Sequence, residues 1–272
     1  MLPDVHLWRI ELRTLAPLEL PPFAGPLLRG VLGNALFVGL GAEAGAGLFE
    51  PGIAAPRFRF DTPVQPVRTL RPGQRWSFRF VTFEEESAEV FLTALQAACV
   101  AGLRDNRAEQ EIVKVTELAH GGPSAPDREA GADLQLSLRA EELLQAGGLV
   151  LRLLSPTELK RQGRRIRTPS TADVLHGAAA RARALGIDLS DFPRFEEDAT
   201  EIVGRMTTWS HARHSAAQGR DYGLVGVLGG IALRPTAAQA AWIALAEVLG
   251  VGASTAYGMG SVRAYPLDAY GD

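Results

Sequence analysis

The chain has 272 residues, 46% hydrophobic, 22% charged and 7% aromatic, and carries a net charge of −3. That mixture excludes a disordered, collagenous or coiled-coil chain and is long enough to bury a core without staples. One cysteine, Cys99, excludes an internal disulfide; set in the apolar run Ala97-Ala98-Cys99-Val100, it reads as a buried thiol of a reducing compartment.

The opening MLPDVHLWRIELRT alternates apolar and polar residues and lacks the build of a signal peptide. No apolar run reaches the roughly 18 residues a membrane-spanning helix needs, so a cytoplasmic protein with no membrane contact is expected. The net charge argues against coating the whole surface with a polyanion but leaves room for a local basic groove. Of 28 Lys and Arg, only Lys114 and Lys160 are lysine. Codon bias can produce that excess, yet arginine also suits planar, bidentate contact with phosphate.

Residues 4–13 alternate as a strand, with His6, Trp8, Ile10 and Leu12 on one face. Prolines between Pro17 and Pro22 exclude a helix there. Residues 25–40 space Leu27, Leu28, Val31, Leu32, Ala35 and Leu36 helically. Gly30 and Gly33 cost that helix about 1 kcal/mol each, which implies close approach to something. Residues 41–55 read as a flexible loop, 57–60 and 74–83 as strands, 85–102 as an amphipathic helix and 111–118 as a strand. Trp76, Phe78 and Phe80 alternate toward the core, and Glu84 to Glu86 favour a helix N-terminus.

Residues 120–132 have the Gly, Pro and Ser content of a linker. Beyond it, strands are expected at 149–154, 201–209, 223–233 and 260–265, with helices at 171–185 and from Pro235-Thr236 through Val248, where Trp242 faces the core. Each half is β-α-β-β-α-β. The fold class is therefore α+β, two tandem ferredoxin-like (RRM-like) domains at residues 1–122 and 133–272, repeated in topology without shared sequence.

The densest motif is Gly250-Val251-Gly252-Ala253-Ser254-Thr255-Ala256-Tyr257-Gly258-Met259-Gly260. Without a Cβ, glycine lets a backbone approach a phosphate and aim N–H groups at it. The stretch follows a helix instead of opening one, so it is not a dinucleotide fingerprint, and it has no G-K-[ST] of a Walker loop. The plainer alternative is a turn that ends a helix. The second motif is the run Lys160, Arg161, Arg164, Arg165 and Arg167, read as a flexible loop for phosphate contact against the alternative of a solvated charged loop. Tyr257 and Tyr222 are candidates to stack on unpaired bases. His, Cys and carboxylates are nowhere clustered at ligand spacing, so neither metal nor cofactor is expected.

G-x-G-x5-G-x-G before a terminal strand resembles the glycine-rich loop of the RAMP superfamily of CRISPR-associated proteins. More narrowly, the chain resembles that superfamily's CRISPR repeat-RNA processing endoribonucleases, as a divergent type III-like or type IV-like member. The matching segments are Phe23 to Leu36 with its Arg29-Gly30, Pro56 to Pro63, Arg71 to Gln74, LRLLSPTELK at 151–160, and Trp209 to Gln218 leading to Gly226. The resemblance implies metal-independent cleavage within the repeat. The 2′-OH attacks the adjacent phosphate, leaving a 2′,3′-cyclic phosphate and a 5′-OH, and the enzyme stays on the crRNA product. It also implies that the partners are CRISPR repeat RNA and other effector-complex subunits. The RNA-binding set would be Lys160, Arg161, Arg164, Arg165, Arg167, Arg213, Gln218, Gly250, Gly252, Ser254, Thr255, Tyr257, Gly258 and Gly260.

Many members carry a histidine in the first helix, in an R-G-x-x-G-H arrangement. This chain has Asn34 there, and an amide cannot exchange a proton near neutral pH. His6, His120 and His176 read as structural or surface residues. His211 and His214, beside Arg213, are better placed for proton transfer, against the equal alternative of solvated hairpin residues, and Arg29 is placed for transition-state charge. Three explanations stand: catalysis by these histidines, catalysis resting on arginines, or a protein that holds RNA without cutting it.

Overall fold

The computed structural model describes residues 5–36, 55–103, 107–118, 132–195, 201–215 and 220–267. They form two compact units: Met1–Ala132 with Ala256–Gly258, and Asp133–Thr255 with Met259–Asp272. The sequence puts the whole glycine-rich stretch in the second domain; by contact, its tip groups with the first unit.

In the first unit the order is β1 (His6–Thr14), β2 (Leu18–Leu20), α1 (Gly25–Ala35), β3 (Phe58–Asp61), β4 (Arg68–Leu70), β5 (Arg75–Thr82), α2 (Glu85–Ala101) and β6 (Gln110–Leu118). The sheet runs β3-β5-β1-β6, antiparallel throughout, which is the ferredoxin-like ladder. The small pair β2–β4 stands apart from it. Alternation decides the buried face: Ile10 and Leu12 of β1 and Trp76, Phe78 and Phe80 of β5 point into the core, while Arg9, Arg75 and Ser77 stay exposed. Phe58, Phe60 and Phe91 complete an aromatic core, each ring contributing about 1.5–3 kcal/mol by burial. The Trp76 indole donates to Gln110 Oε1 at 3.0 Å, and Gln110 Nε2 donates to Thr14 Oγ1, so the polar edge of that core is satisfied. Cys99 lies inside it, and burial pushes its thiol up to about 12.

The second unit follows as α3 (Ala132–Gln145), β7 (Leu149–Thr157), β8 (Lys160–Arg161), β9 (Arg164–Arg165), α4 (Thr171–Ala184), β10 (Glu201–Val203), β11 (Thr207–Ser215), β12 (Arg220–Leu233), α5 (Ala237–Leu249) and β13 (Val262–Pro266). Its sheet is β10-β12-β7-β13, with β11 also on β12, the same ladder again. The single strand expected at 201–209 is two strands, both paired with β12. Capping boxes start the helices: Ser170 with Asp173 for α4, Thr236 with Gln239 for α5.

Helix α3 occupies a stretch where no element was expected before the strand at 149, while residues 120–131 of the expected linker lie outside the described residues. A polar clamp holds it down. Arg139 donates to both carboxylate oxygens of Glu247 at 2.9 and 3.0 Å and to the Ala264 carbonyl, tying α3 to α5 and β13. Trp242 is buried as expected, its indole donating to the Pro193 carbonyl at 2.7 Å. No helix among the described residues is long and apolar enough to cross a membrane.

Candidate nucleic-acid interface

The glycine-rich stretch is a loop folded on its own base. Gly250 ends α5, donating to the Ala246 carbonyl at 2.9 Å. Val251 donates to Gly260 at 2.9 Å, Gly260 to Pro156 at 3.0 Å and Ala253 to Glu158 at 3.1 Å. All four glycines have positive φ, and so does Ser254 at 62°. A Cβ on Gly252 would strike the Glu158 carbonyl, and one on Gly260 the Val251 carbonyl. Protein main chain therefore accounts for these two glycines. The N–H groups of Gly250 and Gly260 donate to the Ala246 and Pro156 carbonyls of the chain itself.

At the loop tip, the 3₁₀ turn Thr255–Tyr257, two of the candidate side chains meet. Ala256, 6% exposed, belongs to the aromatic core of the first unit. The Tyr257 carbonyl lies so close to Gly25, the first residue of α1, that a Cβ there would overlap it. A Cβ on Gly258 would strike Thr62 Oγ1 and come within 3.4 Å of Phe23 and of the Gly25 Cα. Arg29 lies one turn along α1 from Gly25, hence on the same face. It sets its guanidinium carbon 5.7 Å from the centroid of the Tyr257 ring. That is the geometry of a cation–π contact. Both side chains are half-buried, whereas Asn34 is exposed near the end of α1.

The basic run is a hairpin, not the flexible loop expected from the sequence. Gln162 and Gly163, at φ 49° and 76°, turn β8 onto β9 with the two positive-φ residues of a type I′ turn. Two buried carboxylates hold its cations. Glu158 Oε1 accepts from Arg165 Nε at 2.8 Å and lies 3.3 Å from Lys160 Nζ. Asp173 Oδ1 accepts from Arg161 Nη2 at 2.6 Å. Burial pushes the Asp173 carboxyl up, but bonds from Ser170 and Arg161 outweigh it and hold the group below the usual carboxylate range. Arg164 and Arg167 are exposed. Paired arginines keep further N–H donors for a second acceptor.

On β11, His211 is exposed and stacks on Trp209 with centroids 5.7 Å apart and planes at 17°. His211 and His214 sit three positions apart in an unbroken ladder, so these positions fall on opposite faces of the ribbon. The side chains of Arg213, His214 and Tyr222 lie outside what is described, as do Gln218 and His120. His6 bonds Glu117 at 2.7 Å, and His176 packs on Phe195 with centroids 5.1 Å apart. Among the described residues, no three His, Cys, Asp or Glu side chains gather in a way that could hold a metal ion.

The sequence reading missed Gly25, Thr62, Glu158 and Asp173. Gly25, a glycine beside Pro26 at the start of a helix, left a local signal, and so did Asp173, three residues after Ser170 in a capping-box spacing.

The family model of the CRISPR-associated endoribonuclease Cas6 matches residues 151–262. A solved Cas6 product complex aligns with 96% of this chain and 99% of that one, at a TM-score of 0.58 and 22% identity. The Cas6 of Thermus thermophilus aligns over 97% and 100%, at 0.57 and 19%. A Cas6-RT-Cas1--Cas2 complex aligns over 97% of this chain and 29% of that one, at 0.60 and 13%. The search of curated proteins finds no match. The resemblance to CRISPR repeat-processing endoribonucleases is thus borne out over residues 151–262, and the tandem ferredoxin-like fold over nearly the whole chain.

Proposed function

We propose that this chain, Cas6-type through residues 151–262, cuts precursor CRISPR RNA within its repeats without a metal ion and stays on the crRNA it makes. The observation that carries the proposal is Arg29, a fixed cation of α1 set over the ring of Tyr257 at the tip of the glycine-rich loop.

The reaction is a transesterification. The ribose 2′-oxygen forms a bond to the adjacent phosphorus while the bond to the 5′-oxygen breaks, and the products are a 2′,3′-cyclic phosphate and a 5′-OH. A base takes the proton from the 2′-OH, and the leaving 5′-oxygen gains one. Arg29 is assigned to the charge that builds on the non-bridging oxygens, a task that suits an always-protonated guanidinium. One of His211 and His214, whose positions face opposite sides of the β11 ribbon, is assigned to proton transfer, since Asn34 cannot move a proton. Lys160, Arg161, Arg164, Arg165 and Arg167 bind flanking phosphates, with Glu158 and Asp173 fixing three of them in place. A folded repeat would be gripped through its A-form backbone, and single-stranded flanks would be read by stacking. Other effector-complex subunits are the expected protein partners.

A second reading follows from Asn34, which stands exposed where many members carry a histidine. It makes the protein a crRNA-holding subunit without catalysis. One experiment separates the two: a 5′-labelled repeat RNA is incubated with the protein in EDTA, beside a substrate carrying a 2′-deoxy nucleotide at the cut position. A single cut that the deoxy substitution abolishes supports the enzyme. Tight binding with no cut supports the holding subunit.

A further inference from the structure

We infer that Tyr257 is a positioning residue for Arg29, its ring fixing the direction in which the guanidinium meets the RNA phosphate. The inference rests on the functional reading above and gives this tyrosine a role other than stacking on a base. Three observations converge on it, all within the first unit. The tyrosine is seated by main chain, its carbonyl against Gly25 at a distance no Cβ would permit. Its neighbours are equally fixed, Ala256 within the aromatic core and Gly258 against Thr62 and the Gly25 Cα. And the ring so placed lies 5.7 Å from the guanidinium carbon of Arg29, which the helix carries one turn from that same Gly25.

An arginine has several freely rotating side-chain bonds, and its usefulness at a phosphate depends on which edge of its planar fork faces the anion. A ring face whose backbone is packed against Gly25 and Thr62 restricts that choice before RNA arrives. The ordering cost is then met in folding, and the charge is pre-aimed where negative charge develops. A base-stacking tyrosine needs no such anchoring to α1 and would act independently of Arg29.

The test is a double-mutant cycle on single-turnover cleavage of the repeat RNA, using wild type, Arg29→Ala, Tyr257→Ala and the double variant, with Tyr257→Phe and Tyr257→Leu alongside. Tyr257→Ala should slow cleavage roughly tenfold when Arg29 is present, within the range a partly desolvated cation–π contact supports, and change nothing further when Arg29 is absent. Tyr257→Phe should restore the rate to within about threefold, because the ring face remains, while Tyr257→Leu should behave as the alanine variant. Affinity for the uncleavable 2′-deoxy RNA should fall less than the rate. Equal slowing with and without Arg29 would overturn the inference and assign the ring to the RNA. Rescue by leucine would overturn it too, leaving only packing. A wild-type protein that binds without cutting would instead remove the functional reading. The same cycle is then scored on affinity for the 2′-deoxy RNA, where coupling supports the positioning role and additivity refutes it. Variants are compared only where thermal melts show folded protein, and Tyr257→Phe and Tyr257→Leu serve where alanine unfolds the tip.

Discussion

Each unit's first ferredoxin helix meets the glycine-rich loop through a glycine, and what each glycine meets differs. Gly25 of α1 lies against the main-chain carbonyl of Tyr257 at the loop tip. On Gly177 of α4 a Cβ would lie 2.6 Å from Leu159 Cδ2, with Gly252 N and Val251 Cβ each at an ordinary 3.5 Å. A carbonyl fixed in a turn cannot yield, whereas a methyl at the end of a leucine can rotate away. Repeated topology therefore does not bring repeated constraint. The first unit supplies a rigid seat under a candidate reactive cation; the second supplies a base with some give, flanked by cations that carboxylates hold.

Alanine substitutions sharpen the contrast. Gly25→Ala should destabilise the protein by about 3 kcal/mol, near the top of the usual range for overpacking, since neither side of the contact can move. It should also cut cleavage by more than the loss of stability explains, as the tip carries Tyr257 away from Arg29. Chemical denaturation beside a cleavage assay checks both. Asp173→Asn should cost about 1–2 kcal/mol through a weakened cap and a lost partner for Arg161. Because the fold holds the Asp173 carboxyl below its ordinary pKa, its stabilisation is complete above about pH 5 and is lost as the pH falls through the lowered folded value. The gap between wild type and Asp173→Asn should close in acid, and denaturation curves at a series of pH values will show it.

Gly177→Ala should change stability by less than about 1 kcal/mol, the gain in helix propensity offsetting the turn of Leu159. A loss as large as that of Gly25→Ala would break the comparison. Smallest is Arg164→Gln, which should leave stability within about 0.5 kcal/mol. If Arg164 meets a phosphate, the salt slope of RNA binding should nonetheless fall by about 0.7–0.9, measured as affinity against salt concentration.

What could be read from the sequence follows from how local each signal is. The alternation of Trp76, Phe78 and Phe80 is carried by the strand itself, and all three are buried in β5. The ladder order followed from recognising the β-α-β-β-α-β pattern twice. Helix α3 escaped because its register signal is weak: Leu138 and Leu144 are 44% and 42% exposed, and Arg139 finds Glu247 more than a hundred residues away. The β8–β9 hairpin hid behind Gln162 in a position where asparagine or aspartate usually announces the turn. At the site, Arg29 and Tyr257 could each be singled out, but nothing along the chain between them announces that one lies over the other. Glycines in the loop were legible as a motif, and their cause was not: carbonyls of Glu158 and Val251 set it, and only a folded chain brings those within reach.

Membership of Ala256–Gly258 in the first unit has a consequence for synthesis on the ribosome. A nascent chain emerges at about 5–20 residues per second, and N-terminal domains generally fold first. This one would be left with a gap. Its sheet and both helices can assemble once β6 is out, yet the seat at Gly25 stays vacant until residue 258 has been made. The late-arriving turn therefore sets the ring of Tyr257 against Arg29 only after the rest of the first unit has been made.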